Sequence, residues 1–278
     1  MNRQIERKSN IELLRIIAMV MIVFHHYCVH GGFFDMFDFT HVSANMILIQ
    51  FFSLGGKTGV NIFFLIMGYF MIRKNMKVEK IWKLIYQIFT INIIVCIFLL
   101  LMGESYSKKD FLSIIPLIAD VPISFIPNYV IVYLLSPIIN KCLQSISQKE
   151  YEYLLIVLLC YYSFLDSFLL QNTFQYATWA FIMYSVGGYL NLYNFGNRKG
   201  CHWGWISVIV IVICWIGMLG TDYLAMLRGK STSTLWSNIY TDANKITVFV
   251  LAVTIFLYFV SLDIKQSKLI NSIGGELY

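Results

Sequence analysis

The chain has 278 residues, of which 58% are hydrophobic and only 13% charged, against about 45–50% and about 25% in a soluble domain. With a mean hydropathy of +0.69, that balance excludes a water-soluble globule and points to an all-α, polytopic transmembrane helical bundle. The net charge of +6 is better explained by basic loops on one membrane face than by nucleic acid, and no nucleic-acid partner is expected.

A helix crossing the hydrocarbon layer needs about 20 mostly apolar residues. The basic N-terminus, MNRQIERKSN, leads into the first such run, about 11–30. That run is longer than the apolar core of a signal peptide, and no small-residue cleavage site follows it, so it reads as an uncleaved first span.

This span carries Glu12, Arg15, His25, His26 and His30. Arg15 and His26 are eleven residues apart, hence about 20° apart around a helix and about 16 Å along it. Glu12 precedes Arg15 by three and His30 follows His26 by four, so the four form one ionisable stripe, with Met19, Ile22 and Val23 between. His25 points about 100° away from His26. Taken singly, each residue has an ordinary reading. Ser9 and Glu12 fit a capping box, Arg15 can snorkel to headgroups, and His26 and His30 can sit at an interface. Together on one face they read as functional, because ionisable groups in membrane helices usually face a cavity or a partner. Histidine titrates near neutrality and can exchange a proton, and arginine is a natural phosphate anchor.

Next comes an apolar stretch, Val42 to Leu54, read as interfacial or re-entrant, and then spans at about 56–72 and 83–102. Residues 111–126, with Pro116 and Pro122, read as a second interfacial segment. Five further spans follow at about 127–142, 153–170, 174–194, 203–220 and 246–262. The tail from Leu269 reads as the first turns of a ninth helix that the chain lacks, giving about 8–9 spans plus interfacial helices.

Lys and Arg accumulate in short cytoplasmic loops. A cytoplasmic N-terminus puts 15 of the 21 basic residues on that side, among them Arg15, Arg73, Lys74, Lys77, Lys80 and Lys83. Six (Lys57, Lys108, Lys109, Arg228, Lys230 and Lys245) fall outside or near the outer surface. The six cysteines are scattered, without the paired spacing of a disulfide framework or a zinc site, and no metal is expected. Asn61 reads as an interhelical hydrogen-bonding residue. Asp166 and Asp222, near the outer ends of spans, read as solvated loop residues.

Three motifs in order carry a resemblance. The first is Arg15, ten residues, then His26, with Glu12 ahead of the arginine. The second is GGKTGVNIFFLIMGYF, from Gly55 to Phe70. The third is PNYVIVYLLSP, from Pro127 to Pro137. Together they resemble the integral membrane acyltransferase-3 family, whose members acylate bacterial surface glycans and some small molecules, and the resemblance covers essentially the whole chain. Met67 stands where serine is usual in the second motif. Lys80-Ile-Trp-Lys83 stands where the family often has an Arg-x-x-Arg pair. Lysine keeps the charge and loses the bidentate fork.

The resemblance implies one membrane acyltransferase domain over 1–278, without the family's final helix, in a bacterial plasma membrane. It implies transfer of an acetyl or other acyl group from cytoplasmic acetyl-CoA to a hydroxyl of a cell-surface or lipid-linked polysaccharide. Acyl-CoA enters as donor substrate, and no cofactor is permanently bound. Arg15, Lys80 and Lys83 would hold the CoA phosphates. Glu12 would orient Arg15. His26 would act as general base or transient acyl carrier, with His25 the alternate histidine. Two other readings stay open. A transporter or flippase for a glycan precursor could use the same stripe, although the internal repeat common in transporters is not visible. A shortened, inactive acyltransferase is the other.

Overall fold

The computed structural model describes residues 8–33, 36, 43–103, 125–170, 175–195, 202–229 and 238–276. All regular structure among them is helical. In chain order the helices are α1 Ser9–His30, α2 Ala44–Ser53, α3 Gly55–Met71, α4 Val78–Leu101, α5 Phe125–Ser145 and α6 Gln148–Leu159. Then come a π-helical continuation Cys160–Leu170, α7 Tyr176–Leu192, α8 Trp203–Leu227, α9 Asn238–Thr241, α10 Ile246–Ser261 and α11 Lys268–Glu276.

Among the described residues seven helical segments are long and apolar enough to cross a membrane. The one remaining predicted span, 174–194, is α7, whose 17 residues rise about 26 Å, just short of a hydrocarbon layer of about 30 Å. The stretch expected to be interfacial or re-entrant is α2. A single turn residue, Leu54, separates it from α3, and the two run on as one 28-residue segment. The second interfacial segment lies outside the described residues up to position 124. The tail is helical, as α11.

Burial orders the bundle. Nearly all of α3 from Asn61 to Gly68 is buried, between α1, α7 and α10. By contrast α4 buries only Ile81 and Cys96, and its exposed Trp82, Ile91, Ile94 and Leu101 suit lipid contact. A single stripe of α8 is buried: Ser207, Cys214, Met218 and Asp222.

Apolar side chains gain little from one another in lipid, so close backbone approach and polar contacts must hold the helices. Glycine supplies the approach between α3 and α7: a Cβ on Gly68 would sit 1.9 Å from the Tyr184 carbonyl oxygen, and one on Gly187 2.2 Å from that of Leu65. Asn61 bridges elements as expected, accepting from Trp179 Nε1 at 2.9 Å and donating to the Ala243 carbonyl at 2.7 Å. Asn140 of α5 donates to the Met71 carbonyl at 2.7 Å and accepts from the Tyr184 hydroxyl at 2.7 Å. Pro137 has no N–H for the Tyr133 carbonyl, and the Ser136 hydroxyl fills that place at 2.7 Å.

Two aspartates are not the solvated loop residues the sequence suggested. Asp166 and Asp222 are each 1% exposed. Asp166, on the π-helical turn, accepts from Lys245 Nζ and from Asn244 Nδ2, both at 2.7 Å. Asp222 accepts from Gln50 Nε2 at 2.5 Å. Their partners come from distant segments, out of reach of a local reading.

Candidate functional site

At the start of α1 the Asn10 side chain accepts the Ile11 N–H at 3.0 Å, and the position before the helix adds no cap. Lys8 is the N-cap residue and makes no side-chain cap. The expected capping box is absent because other partners take its members: Ser9 bonds to the α10–α11 segment and Glu12 to Arg15 of the same helix. Ser9 Oγ lies 2.9 Å from Asn271 Oδ1 and accepts the Ser267 N–H at 2.9 Å. Asn10 donates to the Phe259 and Leu262 carbonyls at 2.9 and 3.0 Å. These bonds pin the α10–α11 connection to α1. The α11 backbone then lies directly on Glu12, where a Cβ at Gly274 would be 2.7 Å from Glu12 Cβ.

Glu12, freed from capping, accepts from Arg15 Nη1 at 2.7 and 2.8 Å. The pair is enclosed, at 5% and 3% exposure, so Arg15 does not snorkel. Burying two charges costs solvation that only close pairing offsets, and the pair is costly to break.

The pair forms one wall of a cavity of about 290 Å³. Arg15 and Glu12 enter from α1, and Met67, Phe70 and Met71 from the last turns of α3. Lys74 enters from the following loop, Lys80 and Lys83 from the start of α4, Tyr129 and Tyr133 from α5, and Gly275 from α11. Four cations thus face one carboxylate. Tyr133 sets the entry of α4, its hydroxyl accepting from the Lys77 N–H at 3.1 Å and lying 3.3 Å from the Lys77 carbonyl. Lys74 Nζ sits 5.3 Å from the Phe70 ring centroid. Partial burial, then the charges of Arg15 and Lys77, hold the Lys74 ammonium below the ordinary lysine value.

The histidines are at the other end of α1, outside this cavity. His26 is exposed, its ring stacked on that of His30 at 5.3 Å. His25 is half-buried and turned toward the α2–α3 junction, with Nδ1 2.6 Å from the Ser53 carbonyl oxygen. Lys57 lies near enough for its charge to act on both His25 and His26, and it donates to the Tyr176 hydroxyl at 2.8 Å.

The structure therefore brings Glu12, Arg15, Lys80 and Lys83 together and sets His25 and His26 apart from them. Sequence reasoning missed Lys74 and Lys57 as site residues. Lys74 was counted only as a basic loop residue, though it directly follows the α3 turn that walls the cavity. Lys57 sits inside the GGKTG motif and one turn past Ser53, a spacing that could have placed it beside the histidines.

A cationic cavity can hold a phosphorylated ligand, and imidazoles can move protons. A model of the acyltransferase domain family matches residues 8–275. No match was found among curated proteins or among solved structures. The family match spans nearly the whole chain and agrees with the three motifs, and the chain belongs to the acyltransferase-3 family, as a multi-pass membrane acyltransferase.

Proposed function

We propose that the protein moves an acetyl group, or another acyl group, from acyl-CoA to a hydroxyl of a cell-surface or lipid-linked polysaccharide. It does so in a bacterial plasma membrane with its N-terminus cytoplasmic. The observation that carries this reading is the cavity: Arg15, Lys74, Lys80 and Lys83 face one carboxylate, at one end of a helix whose other end carries His25 and His26. CoA bears phosphates at one end and the thioester at the other. Held by its phosphates at the cavity, a CoA arm when extended spans about the 16 Å that helical rise sets between Arg15 and His26. Glu12 orients Arg15 between donors. His26, at the motif position, supplies a base or a transient acyl carrier, with His25 beside it. Membrane lipids surround the apolar outer faces.

The test is mass spectrometry of surface glycans from cells that express the chain. An added acetyl mass with the unmutated chain is the expected result. A Lys80→Ala, Lys83→Ala double variant is expected to raise the donor KM by about tenfold, equivalent to about 1.4 kcal/mol, and the effect should shrink at high salt. No acetyl mass from well-expressed unmutated chain overturns the reading.

Lys74 adds a pH dependence. Below its pKa it is cationic and attracts phosphate, and above it is neutral. Because that pKa is held below the ordinary lysine value, donor affinity should start to fall at a lower pH than loss of an ordinary lysine would produce. Lys74→Arg stays charged and should move the alkaline fall in donor affinity to higher pH. An unchanged profile would remove Lys74 from the donor site.

A further inference from the structure

We infer that Lys57 is a further catalytic residue of the transfer, whose ammonium stabilises the negative charge that forms on the thioester carbonyl oxygen at the histidine end of α1. The inference rests on the acyltransferase reading, keeps the histidine roles given there, and adds an electrostatic residue beside them.

The backbone brings the lysine to that end. A Cβ on Gly56 would lie 2.1 Å from His25 Cγ, and one on Gly55 would lie 3.1 Å from Met21 Cβ. Bare backbone therefore lets the first turn of α3 press onto the Met21–His25 turn of α1. Lys57 follows Gly56 directly, about 100° further around the helix, so its side chain leaves the line of helix contact. It stays near enough for its charge to act on both His25 and His26.

The ammonium is held without being neutralised. Tyr176, at the start of α7, accepts a hydrogen bond from Lys57 Nζ at 2.8 Å, and its ring centroid lies 5.0 Å from the same nitrogen. A neutral phenol fixes the position of the charge and does not cancel it. Asp242 lies within reach of that charge, yet among the described residues no carboxylate forms an ion pair with Lys57. Lys245 differs, because Asp166 pairs with it at 2.7 Å. Lys57 is also half-buried, and a charge partly removed from water acts more strongly on its neighbours. A fixed, uncancelled cation beside groups that move protons is placed for a developing anion.

The step balances without a further reactant. With His26 as base, the acceptor hydroxyl oxygen bonds to the thioester carbon while its proton passes to the imidazole. The carbonyl π electrons move onto the carbonyl oxygen, which becomes an oxyanion facing the Lys57 ammonium. Those electrons then re-form the carbonyl, the C–S bond breaks, and the imidazolium gives its proton to the departing CoA sulfur. Alcohol and acyl-CoA become ester and CoA thiol, and Lys57 keeps its protons throughout.

The test is acyl transfer from acetyl-CoA to the surface glycan by the full-length protein in membranes, with two variants. Lys57→Met keeps an unbranched chain and loses the charge. Removing one oxyanion donor costs about 10²–10³ in kcat, and kcat should fall by that factor. The donor KM and thermal unfolding should stay near those of the unmutated protein. Lys57→Arg stays cationic and should recover most of the lost rate. Lys57→Met with kcat within a few-fold of the unmutated protein would overturn the assignment. So would a loss confined to KM, or a Lys57→Arg variant no faster than Lys57→Met, since the charge would then not act on the transition state. Failure of the unmutated chain to acetylate would instead overturn the acyltransferase reading, and the role of Lys57 with it.

Discussion

Arg15→Ala is expected to abolish binding of CoA and to destabilise the protein in the same step. The two effects have different causes and can be separated. Arg15 is one of four cations that line the cavity among the described residues, and it is enclosed against a carboxylate, 2.7 Å from Glu12. Removing it leaves Glu12 charged, buried and unpaired. Breaking such a pair costs about 3–5 kcal/mol, whereas replacing both members by apolar groups is often neutral. A Glu12→Gln, Arg15→Met double variant should therefore regain most of the thermal stability that Arg15→Ala loses, while CoA affinity stays lost. Thermal unfolding in detergent and CoA binding by calorimetry give the two readouts. If the double variant binds CoA as well as the unmutated protein does, Arg15 serves the fold alone.

That separation is needed because the sequence made Glu12 and Arg15 ambiguous. Their spacing from His26 was legible, and it placed them on one helix face. What the face met was not. The capping-box reading of Ser9 and Glu12 was locally sound, but Ser9 bonds to Ser267 and Glu12 to Arg15. The partner of Ser9 lies 258 positions away, beyond any windowed pattern, while that of Glu12 is local. The apolar runs were legible because length and hydropathy are local quantities, and each predicted span lies on a helix. The buried aspartates were not. Nothing near Asp166 in sequence announces Lys245, and nothing near Asp222 announces Gln50. Position at the end of an apolar run then suggested solvent, where the fold supplies partners. The surroundings of His25 were out of reach for a related reason. Helical angle shows that it leaves the stripe, but only the packed structure shows that leaving the stripe takes it to the Ser53 carbonyl.

Gly68→Ala is expected to disrupt the molecule more than its size suggests, and with it the cavity. The added methyl would fall 1.9 Å from the Tyr184 carbonyl oxygen, 2.7 Å from its carbon and 2.9 Å from Cα. All three atoms are backbone, so no rotamer change can make room. Either α3 and α7 separate or the helix does not pack. Overpacking a tight interior costs about 1–3 kcal/mol, occasionally more, and here separation would also open the reciprocal contact of Gly187 with Leu65. The displaced helix carries Met67, Phe70 and Met71 into the cavity and Gly56 against His25. Both ends of the proposed site should therefore suffer together. Gly220→Ala is the matched control, since a Cβ there meets nothing within 4 Å. Relieved of glycine's helix penalty, that variant should hold or gain up to about 1 kcal/mol. Thermal unfolding of the two variants in detergent, beside CoA binding, checks the argument. Equal stability would mean that α3 and α7 do not meet through their glycines, and the positions of Met67 and His25 would then need another support.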